Sequence, residues 1–150
     1  MKEIFLDTTF VIPFFYMDID VKGFSRRKFA ELIRKLDKIH ISEISIFEAK
    51  AKALQNRNEE VLKRFNEGLS ILRSDRKVVI HGYTAKHDQN FNDMLNILND
   101  VNIIDLIIIS QAKEIGKLLT EDRIIHKHKD EIEIEVLNWK SFIKRFNDAL

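Results

Sequence analysis

The stretch Glu3-Ile4-Phe5-Leu6-Asp7-Thr8-Thr9 decides the fold. Ile4, Phe5 and Leu6 are apolar at consecutive positions, so a strand built from them buries both of its faces. That pattern belongs to a parallel sheet covered by helices on two sides, not to an antiparallel sheet with one wet face. The run stops at Asp7, and two hydroxyls follow it. Ligands of open parallel sheets bind just beyond the carboxyl ends of the strands, which makes Asp7 the first candidate functional residue.

Downstream the chain alternates helices with short apolar strands. Phe10 to Tyr16, containing Pro13, reads as a short helix or turn. Apolar residues at 24, 29, 32, 33 and 36 predict a helix over Phe24 to Lys38. A brief strand at Ile39 to Ile41 leads to Ser42, a good N-cap for a helix over Glu43 to Asn56, and another helix runs from Glu59 to Ser74. Lys77 to His81 reads as a strand with Gly82 as its breaker. Thr84 caps a helix through Leu98, whose stripe Phe91, Met94, Leu95 and Leu98 is core. A further helix starts at Asn102 or Asp105 and is stopped by Gly116 after Ile115. Lys117 to Thr120 and Glu133 to Leu137 are short strands, and Trp139 to Phe146 forms a last helix. With no linker, repeat or low-complexity tract, residues 1-150 read as one domain. The expected architecture is α/β, a three-layer α/β/α sandwich with a mostly parallel central sheet.

Composition removes several function classes. The 150 residues contain no cysteine, which excludes disulfide scaffolds, thiolate metal sites and cysteine nucleophiles. Gly23, Gly68, Gly82 and Gly116 form no phosphate-binding cluster, so P-loop and dinucleotide-binding readings fall. No G-x-S-x-G elbow supports a serine hydrolase. The run Ile4 to Met17 is broken by Asp7, and Val101 to Ile109 by Asn102 and Asp105, so neither reads as a signal or membrane segment and the chain is expected in the cytoplasm. The balance of 25 basic against 24 acidic residues advertises no bulk attraction to nucleic acid.

Four acids stand out by position. Asp7 ends the first strand, Asp122 follows the strand ending at Thr120, and Asp105 lies in the first turn of a helix. These three fall at one edge of the sheet, and Glu48 joins them if its helix crosses that edge. Each alone has an ordinary explanation as a turn, cap or solvated residue. Together they are harder to dismiss. A carboxylate within Ile103-Ile104-Asp105-Leu106-Ile107 is costly unless paired, hydrogen-bonded or bound to a cation. Converging acids without basic partners in their segments suggest a hard divalent ion.

The same residues resemble the PIN-domain family, and within it the small VapC-like toxins. Ile4-Phe5-Leu6-Asp7-Thr8-Thr9 is similar to the family's opening motif, and Ile41-Ser42-Glu43-Ile44-Ser45-Ile46-Phe47-Glu48 to its second. Ile104-Asp105-Leu106-Ile107-Ile108 matches the third, and Leu118-Leu119-Thr120-Glu121-Asp122 the last. The motif spacing favours Glu48 over Glu43. Two departures are Thr9 where many relatives carry serine, and Arg123-Ile124-Ile125 where an aromatic is common.

The resemblance implies a metal-dependent ribonuclease, with Asp7, Asp105 and Asp122 as ligands of one or two Mg²⁺ or Mn²⁺ ions. Glu48 completes the cage or acts as a base, and the Thr9 and Thr120 hydroxyls support the ligands. Arg123, Lys127 and Lys129, with His126 and His128 among them, are candidates to grip RNA phosphates. Arg26, Arg27 and Lys28 are a second basic cluster, and His126-x-His128 reads as exposed loop rather than a transition-metal site. The resemblance further implies RNA as substrate, a cognate antitoxin as partner, and a homodimer. The alternatives are a housekeeping RNA-processing nuclease and a degenerate domain that only binds RNA or protein. A haloacid dehalogenase-type phosphatase also begins with a strand ending in Asp, but needs a second Asp where Thr9 stands. Setting aside the four candidate ligands leaves 20 acidic against 25 basic residues, so near-neutrality is compatible with an acidic metal site in a mildly basic surface.

Overall fold

β1 (Glu3–Leu6) is the middle strand of a five-stranded sheet in the computed structural model, which describes residues 1–148. Around it lie β2 (Lys38–Ser42), β3 (Val78–His81), β4 (Lys117–Leu119) and β5 (Glu135–Leu137), in the order β3-β2-β1-β4-β5. All four pairings are parallel, with Leu6 opposite Ile41 on one side and Leu119 on the other. The strand order reverses between β1 and β4, so the crevice at their carboxyl ends is the switch point where an open α/β sheet offers a site.

Side-chain alternation along β1 sorts the core into two halves. Ile4 and Leu6 face a cluster that includes Phe10, Phe15, Leu32, Phe65 and Phe142. Phe5 faces the other cluster with Leu106, Ile109, Leu118 and Ile125. The first is roofed by α1 (Thr8–Val11), a 3-10 turn (Ile12–Phe15), α2 (Arg26–Arg34), α3 (Glu43–Gln55), α4 (Glu59–Ser74) and α9 (Trp139–Asp148). The second is covered by α5 (Ala85–Leu95), α6 (Ile103–Ala112), α7 (Arg123–Lys127) and α8 (Lys129–Ile132). This is the expected three-layer α/β/α sandwich. The buried polar His40 on the second face is satisfied at both ring nitrogens, by Glu3 and by His81, each at 2.8 Å.

Local chemistry explains where the elements depart from expectation. α2 begins at Arg26 rather than Phe24, because the Ser25 hydroxyl accepts the backbone N–H of Lys28. β5 starts at Glu135 instead of Glu133, since Glu133 takes a left-handed backbone with φ 57°. The sequence pattern missed α7 and α8, which are too short to show a period. α6 ends at Ala112, and Gly116 closes the following turn with φ 84°, a conformation glycine adopts without strain.

Gly68 sits inside α4, where glycine costs about 1 kcal/mol relative to alanine. It is there because a Cβ would lie 2.4 Å from the carbonyl oxygen of Phe14, so helix and 3-10 turn meet backbone to backbone. Overpacking of this kind costs about 1–3 kcal/mol or more, which exceeds the gain in helix propensity. Gly68→Ala is therefore expected to lower stability in urea unfolding by about 1 kcal/mol or more. A stabilised variant would show that the two segments separate freely.

Candidate active site

Asp7 enters the crevice because β1 runs out there. Its backbone N–H still donates to Leu119 of β4 at 3.0 Å, while its side chain has left the ladder. One carboxylate oxygen accepts the Thr8 N–H at 2.8 Å and caps α1; the other accepts the Thr120 hydroxyl at 2.6 Å. Thr120 is fully buried at the end of β4, and its Oγ1 also accepts the N–H of Asp122 at 3.1 Å. Asp122 in turn caps α7, accepting the N–H groups of Ile124 and Ile125 at 2.8 and 3.0 Å. One carboxylate thus creates each helix that starts at this edge after β1 and β4.

Glu48 comes from the second turn of α3 and does cross the edge. The Thr8 hydroxyl donates to its Oε1 at 2.5 Å, and Thr8 Oγ1 lies 2.8 Å from the hydroxyl of Ser45. Since the single Thr8 proton is committed to Glu48, Ser45 donates to Thr8. Glu43, the competing acid, lies exposed in the first turn of α3. Asp105 occupies the first turn of α6, where Asn102 accepts its backbone N–H at 2.9 Å.

The four acids act on one another. Burial pushes the Asp105 carboxyl up to about 7, and the negative charges of Asp7, Asp122 and Glu48 push in the same direction. Asp7 is also raised, by burial first and then by Asp122 and Glu48, against the lowering effect of its bonds from Thr120 and Thr8. None of the four takes part in an ion pair among the described residues. Their spacing stops short of coordination: among the described residues no three His, Asp or Glu side chains are placed to hold one ion. Asp7 spends both oxygens on protein donors, and Glu48 and Asp122 one each. The donor set nonetheless fits a hard divalent cation, being all oxygen, anionic and unneutralised.

The remaining candidates divide. Thr120 is at the site, but the hydroxyl that meets Glu48 is that of Thr8, not Thr9. Ser45 was hidden in an apolar stripe, although its i, i+3 spacing to Glu48 is the signal that finds it. Arg123, Lys127 and Lys129 are exposed on α7 and α8, immediately after Asp122 and without ion pairs among the described residues. His126 is not loose: its Nε2 donates to the Thr120 carbonyl at 2.7 Å and pins the β4–α7 turn. His128 turns away to Asp100 and Glu131, which raise its pKa, so the two histidines do not form a pair. Arg26 is paired with Asp18 at 3.1 Å and Lys28 lies 3.5 Å from Glu31, so the second basic cluster is partly neutralised.

A carboxylate whose folded pKa is raised binds its proton earlier in the folded than in the unfolded chain. Its ionisation therefore penalises the fold fully above about pH 7, and the penalty fades as pH falls towards the unfolded value of 3.8. Asp105→Asn is expected to raise the Tm of the metal-free protein in EDTA at pH 8. The gain should shrink steadily between pH 7 and pH 4, read by thermal denaturation. A variant less stable than the natural protein at pH 8 would mean that the repulsion is already relieved.

A search of curated proteins finds no match. Among solved structures the chain is similar to one described as VapBC2 from Rickettsia felis bound to a DNA fragment from their promoter. The TM-score is 0.65 at 20% identity, covering 91% of this chain and 98% of that one. A family model for the PIN domain matches residues 4–131, which takes in Ile4 to Leu6 of β1, all four acids and α7. The chain belongs to the PIN-domain family.

Proposed function

We propose that the chain is a divalent-metal-dependent endoribonuclease and the toxin of a toxin–antitoxin pair. One observation carries this reading: carboxylates from four different elements meet at the switch point of a PIN fold, their charges raising Asp7 and Asp105, with no cationic side chain among the described residues paired to any of them. A module that only bound RNA would gain nothing from negative charge concentrated where phosphates must lie. The similarity to a VapBC2 structure supports a cognate antitoxin as partner, while a homodimer and a cytoplasmic setting remain part of the proposal on family grounds. Among the described residues no helix is long and apolar enough to cross a membrane.

Asp7, Asp105 and Asp122, with Glu48, would hold one or two Mg²⁺ or Mn²⁺ ions. Such ions, when bound, supply Lewis-acid polarisation of a phosphodiester and neutralise charge at the attacking and leaving oxygens. The chain's own residues do the rest. Thr120 and the Thr8 N–H fix the orientation of Asp7 from both sides. Glu48 is held at Oε1 by Thr8, and its other oxygen would either complete the cage or accept the proton of an attacking water. Arg123, Lys127 and Lys129, exposed on α7 and α8 just after Asp122, would grip the phosphate backbone as it leaves the crevice.

The decisive assay is cleavage of single-stranded and structured RNA with Mg²⁺ or Mn²⁺. Activity is expected to vanish in EDTA and to fall on the order of a hundredfold or more in Asp7→Asn and in Asp105→Asn, since even partners behind the ligands are worth 10–100-fold. Cleavage persisting in EDTA and in both variants overturns the reading. The double variant Arg123→Ala/Lys127→Ala is expected to raise KM more than it lowers kcat. It should also flatten the salt dependence of KM by about one to two phosphate contacts. An unchanged salt slope would remove these residues from the RNA path.

A further inference from the structure

Between α3 and α6, the helices that carry Glu48 and Asp105, lies a pocket of about 160 Å³ that the chemistry above leaves unused. α3 brings Phe47, the neighbour of Glu48, and α6 brings Ile107 and Gln111, which follow Asp105 on the same helix. Tyr83 and His81, from the end of β3 and the turn after it, close the far side.

Two features of the lining are unusual for a surface that touches only water. Phe47 is 64% exposed and Tyr83 47% exposed, so two aromatic rings stand at the rim. Tyr83 is also fixed in place: its hydroxyl donates to Asp88 at 2.8 Å, and its ring meets Phe91 edge-on at 6.5 Å. A rigid, solvent-facing ring is a stacking platform whose ordering cost has already been met. Gln111 is 1% exposed and its amide is locked, because Nε2 donates to the carbonyls of His81 and Gly82 at 3.2 Å each. That orientation leaves its Oε1 as a buried acceptor without a partner among the described residues. Native structures rarely leave a buried polar atom unsatisfied.

On the far side of Phe47 a second cavity of about 200 Å³ is lined by Lys50 and Arg73. The volume of the first pocket suits one flat ring and is too small for a peptide helix, about 10 Å across with its side chains.

We propose that the pocket between α3 and α6 is a nucleobase subsite. In it a base of single-stranded RNA, next to the phosphate at the acids, stacks on Phe47 and Tyr83 and presents an N–H edge towards Gln111. The inference rests on the ribonuclease reading for its substrate, but its own test needs no catalysis. Single-stranded RNA is read by splaying a base onto aromatic side chains, and stacking tolerates any base because each has a flat face.

The test uses the full chain in EDTA, titrated with adenosine 5′-monophosphate or with ribose 5-phosphate and followed by NMR. The nucleotide is expected to shift the Tyr83 ring and Gln111 side-chain amide signals, and the sugar phosphate to leave them unmoved. Phe47→Ala and Tyr83→Ala, both at exposed positions, should each weaken nucleotide binding by about fivefold or more. Equal shifts with ribose 5-phosphate, nucleotide shifts confined to other residues, or unweakened binding in both variants would overturn the subsite. So would a dimer that Phe47→Ala converts to monomer in sedimentation, since a second copy would then own this face. Absence of RNA cleavage by the natural protein would sink the nuclease reading and leave base binding to be judged on these signals.

Discussion

The hydrogen bond from Thr120 to Asp7 spans 113 positions of sequence and joins the ends of the two central strands. It sits where the strand order reverses, so the halves of the sheet meet at a carboxylate. An ionised carboxylate loses several kcal/mol of solvation in a protein interior even after relaxation. Each hydrogen bond to a charged group returns only about 1.5–3 kcal/mol. Asp7 has two such bonds, yet its pKa remains raised, so burial prevails over the protein's own donors. The protein's own donors thus leave the charge in the crevice uncompensated, which is what makes it a candidate site.

The remaining acids follow from this junction. Asp122 is placed by Thr120, because the hydroxyl that donates to Asp7 also accepts the Asp122 N–H. Glu48 is placed by Thr8, the residue after Asp7, through a hydroxyl relay that begins at Ser45. Asp105 arrives independently on α6, where the Asn102 side chain hydrogen-bonds its carboxyl, yet burial and the neighbouring charges drive its pKa up to about 7. Three acids tied back to hydroxyls or backbone amides, and a fourth bonded by the Asn102 side chain, form a crevice that is ordered but not closed. This is consistent with no three of the described carboxylates yet sharing one coordination point.

The sheet was legible because its strands are continuous apolar runs, and Ile4-Phe5-Leu6 admits few other readings. The acids were legible for the converse reason: Asp7 and Asp105 interrupt apolar runs, where an unpaired charge is expensive. The choice of Glu48 over Glu43 needed the resemblance, since periodicity alone does not separate two acids of one helix. Thr8 and Thr9 are chemically alike in sequence. Only the packing of the single-turn α1 against α3 selects Thr8. α7 was invisible because it owes its start to one side chain, Asp122, rather than to a hydrophobic pattern. His126, which read as a loop residue, proves to be the clamp on the turn that carries that same aspartate.

The formal charge of +1 takes on a different meaning once the acids are located. At physiological ionic strength charges are screened over about 8 Å, so a balance summed over the whole chain says little about one crevice. Within that range four carboxylates would repel a phosphodiester, and exposed cations beyond the rim cannot cancel them at the phosphate itself. On the ribonuclease reading, attraction would then come from a cation bound among the acids and from contacts that ignore charge. Stacking is such a contact, and it survives screening. On the ribonuclease reading, a near-neutral protein of this fold would hold a polyanion best with a cation bound among the acids, which its own side chains leave unneutralised, and with exposed aromatic rings and cations elsewhere on its surface.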